Sequence, residues 1–212
     1  MNAPTTGGLA AITQTFSDQG FVVIRRLLAP ERAAGLRAYL EQRGQRGELR
    51  MEGDNQVPDT PSAFGDPVMD QLMEQLRPAI EACTGLSLHS TYSYARLYKH
   101  GDQLKPHLDR AASEIALSIN LGQDPADQAW ALNIKGKGRP STAAMLMPGD
   151  CLLYRGMELV HWREPYEGRS MGQAFVFYVD RNGKHAAEKN DRRQYLGGEP
   201  VPITDDDRAD RG

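Results

Sequence analysis

The sequence predicts an α+β chain, helical first and then built of many short strands that close into a sandwich or barrel. Three observations carry this. Apolar residues recur at helical spacing as far as Gly85. From Leu86 to Val179 the period changes to that of strands, in short runs separated by Gly, Pro or Asp turns. No internal repeat and no shift of composition divides the chain, so residues 1–212 read as one domain, with a helical part over about 9–85, a strand-rich core over about 86–182 and a polar tail over 183–212.

Taken in order, residues 9–18 suit a short helix with Leu9, Ile12 and Phe16 on one face, ended by Gly20, and Phe21 to Ile24 reads as a strand. Pro30 opens a helix in which Leu36, Tyr39 and Leu40 recur to about Gln42. From Gly44 to Gly65 charges, glycines and prolines replace any period. A structureless stretch of that length is expected to be a binding loop or a lid. Asp66-Pro67 is an N-cap and first-turn pair for a helix carrying Val68, Leu72 and Leu76, which Pro78 is expected to bend or restart before Gly85. Strands are then predicted at 86–98, 115–121, 130–134, 143–147, 151–154, 159–162 and 173–179, and a frayed end from Asp205 onward.

Composition excludes some functions. With 40% hydrophobic residues, 25% charged and a formal net charge of -3, nothing calls for nucleic acid. No apolar run reaches the roughly 18 to 20 residues of a membrane span. The first eight residues lack the basic and apolar regions of a secretory signal, so cytoplasmic residence is expected. Cys83 and Cys151, lacking Cys-x-x-Cys spacing and set among apolar neighbours, read as buried thiols.

The chemistry concentrates at Lys105-Pro106-His107-Leu108-Asp109. Residues i and i+2 of an extended segment face the same side, so His107 and Asp109 can reach one metal ion. His161, at the end of the run from Cys151, offers a third ligand. Two histidines and a carboxylate make the facial triad that holds Fe(II) and leaves the opposite coordination positions open. His89, His100 and His185 lie at strand or loop margins or in the polar tail and are left out, and Gly136-Lys137-Gly138 reads as a hairpin turn.

Together, Gly20 to Ile24, the helix from Pro30, Tyr94 to Asp102, the His-x-Asp pair, Pro148-Gly149-Asp150 and the distal His161 resemble the 2-oxoglutarate and Fe(II)-dependent oxygenases over roughly residues 10–182. The resemblance implies a double-stranded β-helix, the jelly-roll or cupin-like core, with the amino-terminal helices packed on one sheet. It assigns His107, Asp109 and His161 to iron, with 2-oxoglutarate as cosubstrate and O2 as oxidant. Such enzymes anchor the distal carboxylate of 2-oxoglutarate on an Arg or Lys beginning the strand after the distal histidine, often followed by Ser, because a guanidinium fork donates two parallel hydrogen bonds. Arg169-Ser170 is the nearer match; Arg163 competes because it shares a face with His161. Tyr98 is similar to the tyrosine before the His-x-Asp that reaches 2-oxoglutarate, and Arg96 shares its face. Asn120 and Trp130 are read as structural or as pocket wall.

An intact Asp109 points to hydroxylation rather than halogenation. Arg50, Glu52, Asp54 and Arg110 are candidates to meet a small polar substrate, such as an amino acid or derivative, with succinate and CO2 as coproducts. The alternative is a metal-binding jelly-roll without turnover, for which closed four-ligand coordination is expected.

Overall fold

A computed structural model describes residues 6–197. The readings made on the first five residues and on the end from Asp205 lie outside the described residues. Three helices, α1 (Thr6–Gln19), α2 (Pro30–Gln45) and α3 (Pro67–Thr84), alternate with two strands, β1 (Phe21–Ile24) and β2 (Ser62–Phe64). Eight strands follow: β3 (Leu88–Lys99), β4 (Leu104–His107), β5 (Ile115–Asp124), β6 (Leu132–Lys135), β7 (Thr142–Ala144), β8 (Cys151–Arg155), β9 (Val160–Arg163) and β10 (Ser170–Asp180).

Local chemistry sets the helix ends. The Asp66 carboxylate accepts hydrogen bonds from the N–H groups of Val68 and Met69, and Pro67 takes the first turn, where its missing donor costs nothing. Gly85, at φ 72°, adopts the left-handed closing conformation that an L side chain resists. Between these caps α3 runs through Pro78 without the restart that was one of the two expectations there. The tertiary fit of Leu72, Met73, Leu76 and Ile80, all fully buried, outweighs the lost hydrogen bond.

The strands form two antiparallel sheets, one of six in the order β1-β8-β5-β10-β3-β2 and one of four in the order β4-β9-β6-β7. Side chains of β10 show the division of labour. Ala174, Val176 and Tyr178 join Leu72, Leu76, Leu117 and Leu153 in the core between helices and the larger sheet. Met171 and Phe177 face the other way, into a second core with Tyr98, Trp130, Tyr154 and Tyr166 between the sheets. The helices therefore cover one face of the larger sheet, as expected, and its other face is free to line a cavity.

The stretch from Gly44 to Gly65 is not structureless. It contains β2 and two isolated bridges, Arg50 to Ser62 and Gly53 to Pro58. Gly53 is required there, since a Cβ would lie 2.2 Å from the Val57 carbonyl oxygen. Cys83 and Cys151 are free and buried in the helix-side core. No helix among the described residues is long and apolar enough to cross a membrane.

Candidate metal centre

Strands β4 and β9 pair so that His107 stands opposite His161, and the rings approach to 4.2 Å between centroids. Asp109 lies two residues beyond β4, held by its backbone N–H donating to the Gly156 carbonyl at 2.9 Å. Its Oδ1 is 3.6 Å from Nε2 of both histidines. One ligand atom from each of the three lies within 4.8 Å of the others, a grouping able to hold a metal ion. The structure thus brings together the three residues that the sequence singled out.

The tautomers suit this role. His107 Nδ1 sits 2.8 Å from the Lys105 carbonyl and His161 Nδ1 3.0 Å from that of Leu159, so each Nδ1–H donates to backbone and each Nε2 lone pair points inward. Burial pushes the Asp109 carboxyl up to about 6 and His161 down to about 4; His107 is lowered too, by burial and then by His161. Asp109 Oδ2 is buried without a partner. Three burial-strained donors aimed at one point fit a divalent cation, whose charge would reverse the desolvation cost. The Tyr154 hydroxyl, held protonated by burial and by the neighbouring Asp109 charge, lies 3.4 Å from His161 Nε2.

The triad opens into a cavity of about 600 Å³ between the sheets. Arg163, two residues past His161 on β9, reaches the same cavity and is fully buried. It donates to the Trp130 carbonyl and to Gln173 Oε1, lies over the Trp130 ring at 4.6 Å, and leaves Nε without a partner. Those hydrogen-bond partners are a carbonyl and an amide oxygen, neither of them charged, and burial lowers the guanidinium to about 10, so it stays charged at neutral pH.

Arg169 is placed otherwise than the sequence suggested. Its side chain is 75% exposed and pairs with Asp124 outside the cavity. Ser170 begins β10 on the helix side, where its hydroxyl accepts from Arg37 at 2.7 Å. The chain turns through Pro165 to Gly168 and only then enters the sheet, so the first inward side chain of β10 is Met171. Of the two arginines that the sequence offered, Arg163 lines the cavity and Arg169 does not. Tyr98 is buried between the sheets and its hydroxyl accepts from Arg96 Nη1 at 3.1 Å. Arg96, Arg50, Asp54 and Arg110 line the cavity, whereas Glu52 does not. Asn120 is structural, its amide tied to Gln123 and to the Leu146 carbonyl.

Sequence reasoning passed over several wall residues. Phe175 and Phe177 were read only as strand, although their alternation with Ala174 and Val176 on β10 marks an inward aromatic face. Tyr92 and Tyr154 were missed in the same way, as was Gln173, which braces Arg163 from behind the wall.

The sequence matches no protein-family model and no curated protein. Solved structures do match. A Pseudomonas putida prolyl-4-hydroxylase is 21% identical, with a TM-score of 0.67 over 82% of this chain and 100% of its own. The epimerase SnoN of nogalamycin biosynthesis, in complex with Fe3+, alpha ketoglutarate and nogalamycin RO, is 14% identical, with a TM-score of 0.69 over 96% and 98%. A Trichoplax adhaerens prolyl hydroxylase, in complex with a hypoxia inducible factor peptide fragment, is 14% identical, with a TM-score of 0.68 over 84% and 91%. At these identities the likeness is one of architecture: the chain has the double-stranded β-helix fold found in 2-oxoglutarate and Fe(II) oxygenases.

Proposed function

We propose that this chain is an Fe(II)- and 2-oxoglutarate-dependent dioxygenase that hydroxylates a small polar molecule, such as an amino acid or a derivative, in the cytoplasm. One observation carries the reading: an unpaired, fully buried guanidinium, Arg163, stands on the same strand face as His161, in the same cavity as the triad. A buried charge without a partner is costly, and an anionic ligand relieves it. Two residues along a strand span about 6.6 Å, a separation suited to a five-carbon diacid with one end at the triad and the other at Arg163.

His107, Asp109 and His161 would hold the iron. When bound, it supplies oxygen activation coupled to decarboxylation of 2-oxoglutarate to succinate and CO2. The chain's own part is to bind, orient and exclude water. Leu159 and Lys105 carbonyls fix the histidine tautomers. Arg163, braced by Trp130 and Gln173, would clamp the distal carboxylate of the cosubstrate, with Tyr98 behind it. Asp54, on the 44–65 loop, reaches across to Arg96 and Tyr94 and closes one side of the cavity against water. The metal grouping has three members, which leaves coordination positions for cosubstrate and oxygen and favours turnover over a closed structural site. The SnoN complex, with Fe3+ and alpha ketoglutarate, supports the same ligands here. Two buried free thiols suit a reducing compartment.

Anaerobic addition of Fe(II) and 2-oxoglutarate to the full chain is expected to give the weak visible charge-transfer band of the chelate, and oxygen then to yield succinate. A protein that binds neither would end this reading.

A further inference from the structure

Arg96 is the second buried guanidinium of the cavity, and it is only half engaged. Its side chain is 3% exposed. Nη2 donates to Asp54 Oδ2 and Nη1 to the Tyr98 hydroxyl, while Nε has no partner. Asp54 matches the fork poorly. Its Oδ1 accepts from the backbone N–H groups of Gln56 and Val57 at 3.0 and 2.9 Å, so only Oδ2 is left for Arg96 and for the Tyr94 hydroxyl at 3.1 Å. A guanidinium presents Nε–H and Nη2–H in parallel, and a free carboxylate takes both. The loop carboxylate cannot rotate to do so without giving up its own turn.

Beside Arg96 the larger sheet carries a row of stacked aromatic side chains. Phe64 and Tyr92 stack at 5.2 Å and 22°, Tyr92 and Phe177 at 4.4 Å and 25°, and Phe177 and Phe175 lie within 2° of parallel. The Arg96 guanidinium lies 6.0 Å over Phe175, at one end of this row. The row and the triad belong to opposite walls of one cavity. Arg110 already lies 4.3 Å over Tyr92 and Arg193 5.3 Å over Phe64, so the Phe175 end of the row, next to Arg96, is where a further ring finds an offset or edge-to-face contact.

We propose that Arg96 receives the carboxylate of a small acid bearing a planar ring, bidentate on Nε and Nη2 in place of Asp54, with the ring packed against the Phe175 end of the row, opposite the triad. That this ligand is the substrate rests on the oxygenase reading; its binding at Arg96 does not.

Calorimetric titration of the full-length protein with 3-phenylpropanoate, its primary amide, hexanoate and 2-oxoglutarate tests this. The ring acid is expected to bind about tenfold more tightly than its amide, as a charge-assisted pair requires, and more tightly than hexanoate. Asp54→Asn keeps the acceptor for the loop turn but removes the competing charge. It is expected to tighten the ring acid several-fold and leave the amide unchanged, a gain that a merely structural Asp54 would not produce. Arg96→Gln is expected to abolish the difference between acid and amide; should that variant not fold, Asp54→Asn decides alone. Equal binding of acid and amide, no binding of either at millimolar concentration, or failure of Asp54→Asn to tighten the acid overturns the proposal. So does an Asp54→Asn variant that tightens 2-oxoglutarate in place of the ring acid. The expected pattern in a protein giving no visible band with Fe(II) and 2-oxoglutarate would overturn the oxygenase reading and leave the Arg96 site standing.

Discussion

Replacing Gly156 with alanine tests whether the triad is held by backbone packing. Gly156 lies between β8 and β9, and an added Cβ would stand 2.4 Å from Asp109 Oδ2, 2.4 Å from the Ser113 carbonyl oxygen and 2.9 Å from Asp109 Cβ. Its φ is outside the left-handed region, so the cost is one of contact alone. The segment cannot simply retreat. Its N–H donates to the Glu114 carbonyl at 3.1 Å and its carbonyl accepts from Asp109 at 2.9 Å. Overpacking of this kind costs about 1–3 kcal/mol. Moving the Asp109 carboxylate relieves one of the two 2.4 Å contacts at the expense of metal affinity, by up to roughly 150-fold, whereas the Ser113 carbonyl is backbone and its relief costs stability. Mn(II) titration followed by electron paramagnetic resonance reads the affinity, and thermal unfolding of the metal-free protein reads the remainder. The expected result is a weakened metal site in a protein that still folds. Wild-type metal affinity and an unchanged melting temperature in Gly156→Ala would refute the packing argument.

Three other outcomes follow from the same geometry. Arg163→Met is expected to raise the KM for 2-oxoglutarate by one to two orders of magnitude, the worth of a buried charge-assisted pair, while Mn(II) affinity changes less than about threefold. Arg169→Ala should leave that KM within about twofold, because an exposed ion pair contributes little; a large effect would return the anchor to Arg169. Metal affinity should fall at least tenfold per pH unit between about pH 6 and 4, since burial raises Asp109 to about 6, lowers His161 to about 4 and lowers His107, so the Asp109 proton is the first that the metal displaces. A release of two protons near pH 6 would mean that a histidine titrates there as well.

How far the sequence could be read is clearest at particular residues. His107, Asp109 and His161 were legible because strand periodicity puts i and i+2 on one side and because the run from Cys151 ends at a histidine. Arg163 was legible by the same parity. What the sequence could not settle was where β10 begins: with the turn running to Gly168, Arg169 falls one residue short of the sheet and projects into solvent. The 44–65 loop looked structureless because its partners are remote; Asp54 is fixed by Arg96 and Tyr94, which lie on β3. Gly156 carried no local sign of its role, since its closest neighbour, Asp109, belongs to another part of the chain. Propensity and period see neighbours along the chain, and these three cases depend on neighbours across it.

Half of the buried side-chain atoms without a hydrogen-bond partner among the described residues line one cavity: Asp109 Oδ2, Arg163 Nε and Arg96 Nε. Each costs about 1–3 kcal/mol when left unmade, and folding gains nothing from placing them together. Their signs differ in a way that predicts coupling. With neutral histidines, a divalent metal alone leaves the Asp109–Arg163 end of the cavity with two positive charges in excess, and 2-oxoglutarate alone leaves two negative ones. Both together leave none, and buried excess charge is what a low-dielectric site penalises most. Mn(II) and 2-oxoglutarate should therefore each tighten the other by the same factor, on the order of tenfold or more, as linkage requires. Measuring the Mn(II) dissociation constant with and without 2-oxoglutarate, and the reverse, closes the cycle. Independent binding would mean that the Arg163 guanidinium and the triad do not share a ligand, and the assignment of Arg163 to the cosubstrate would fall with it.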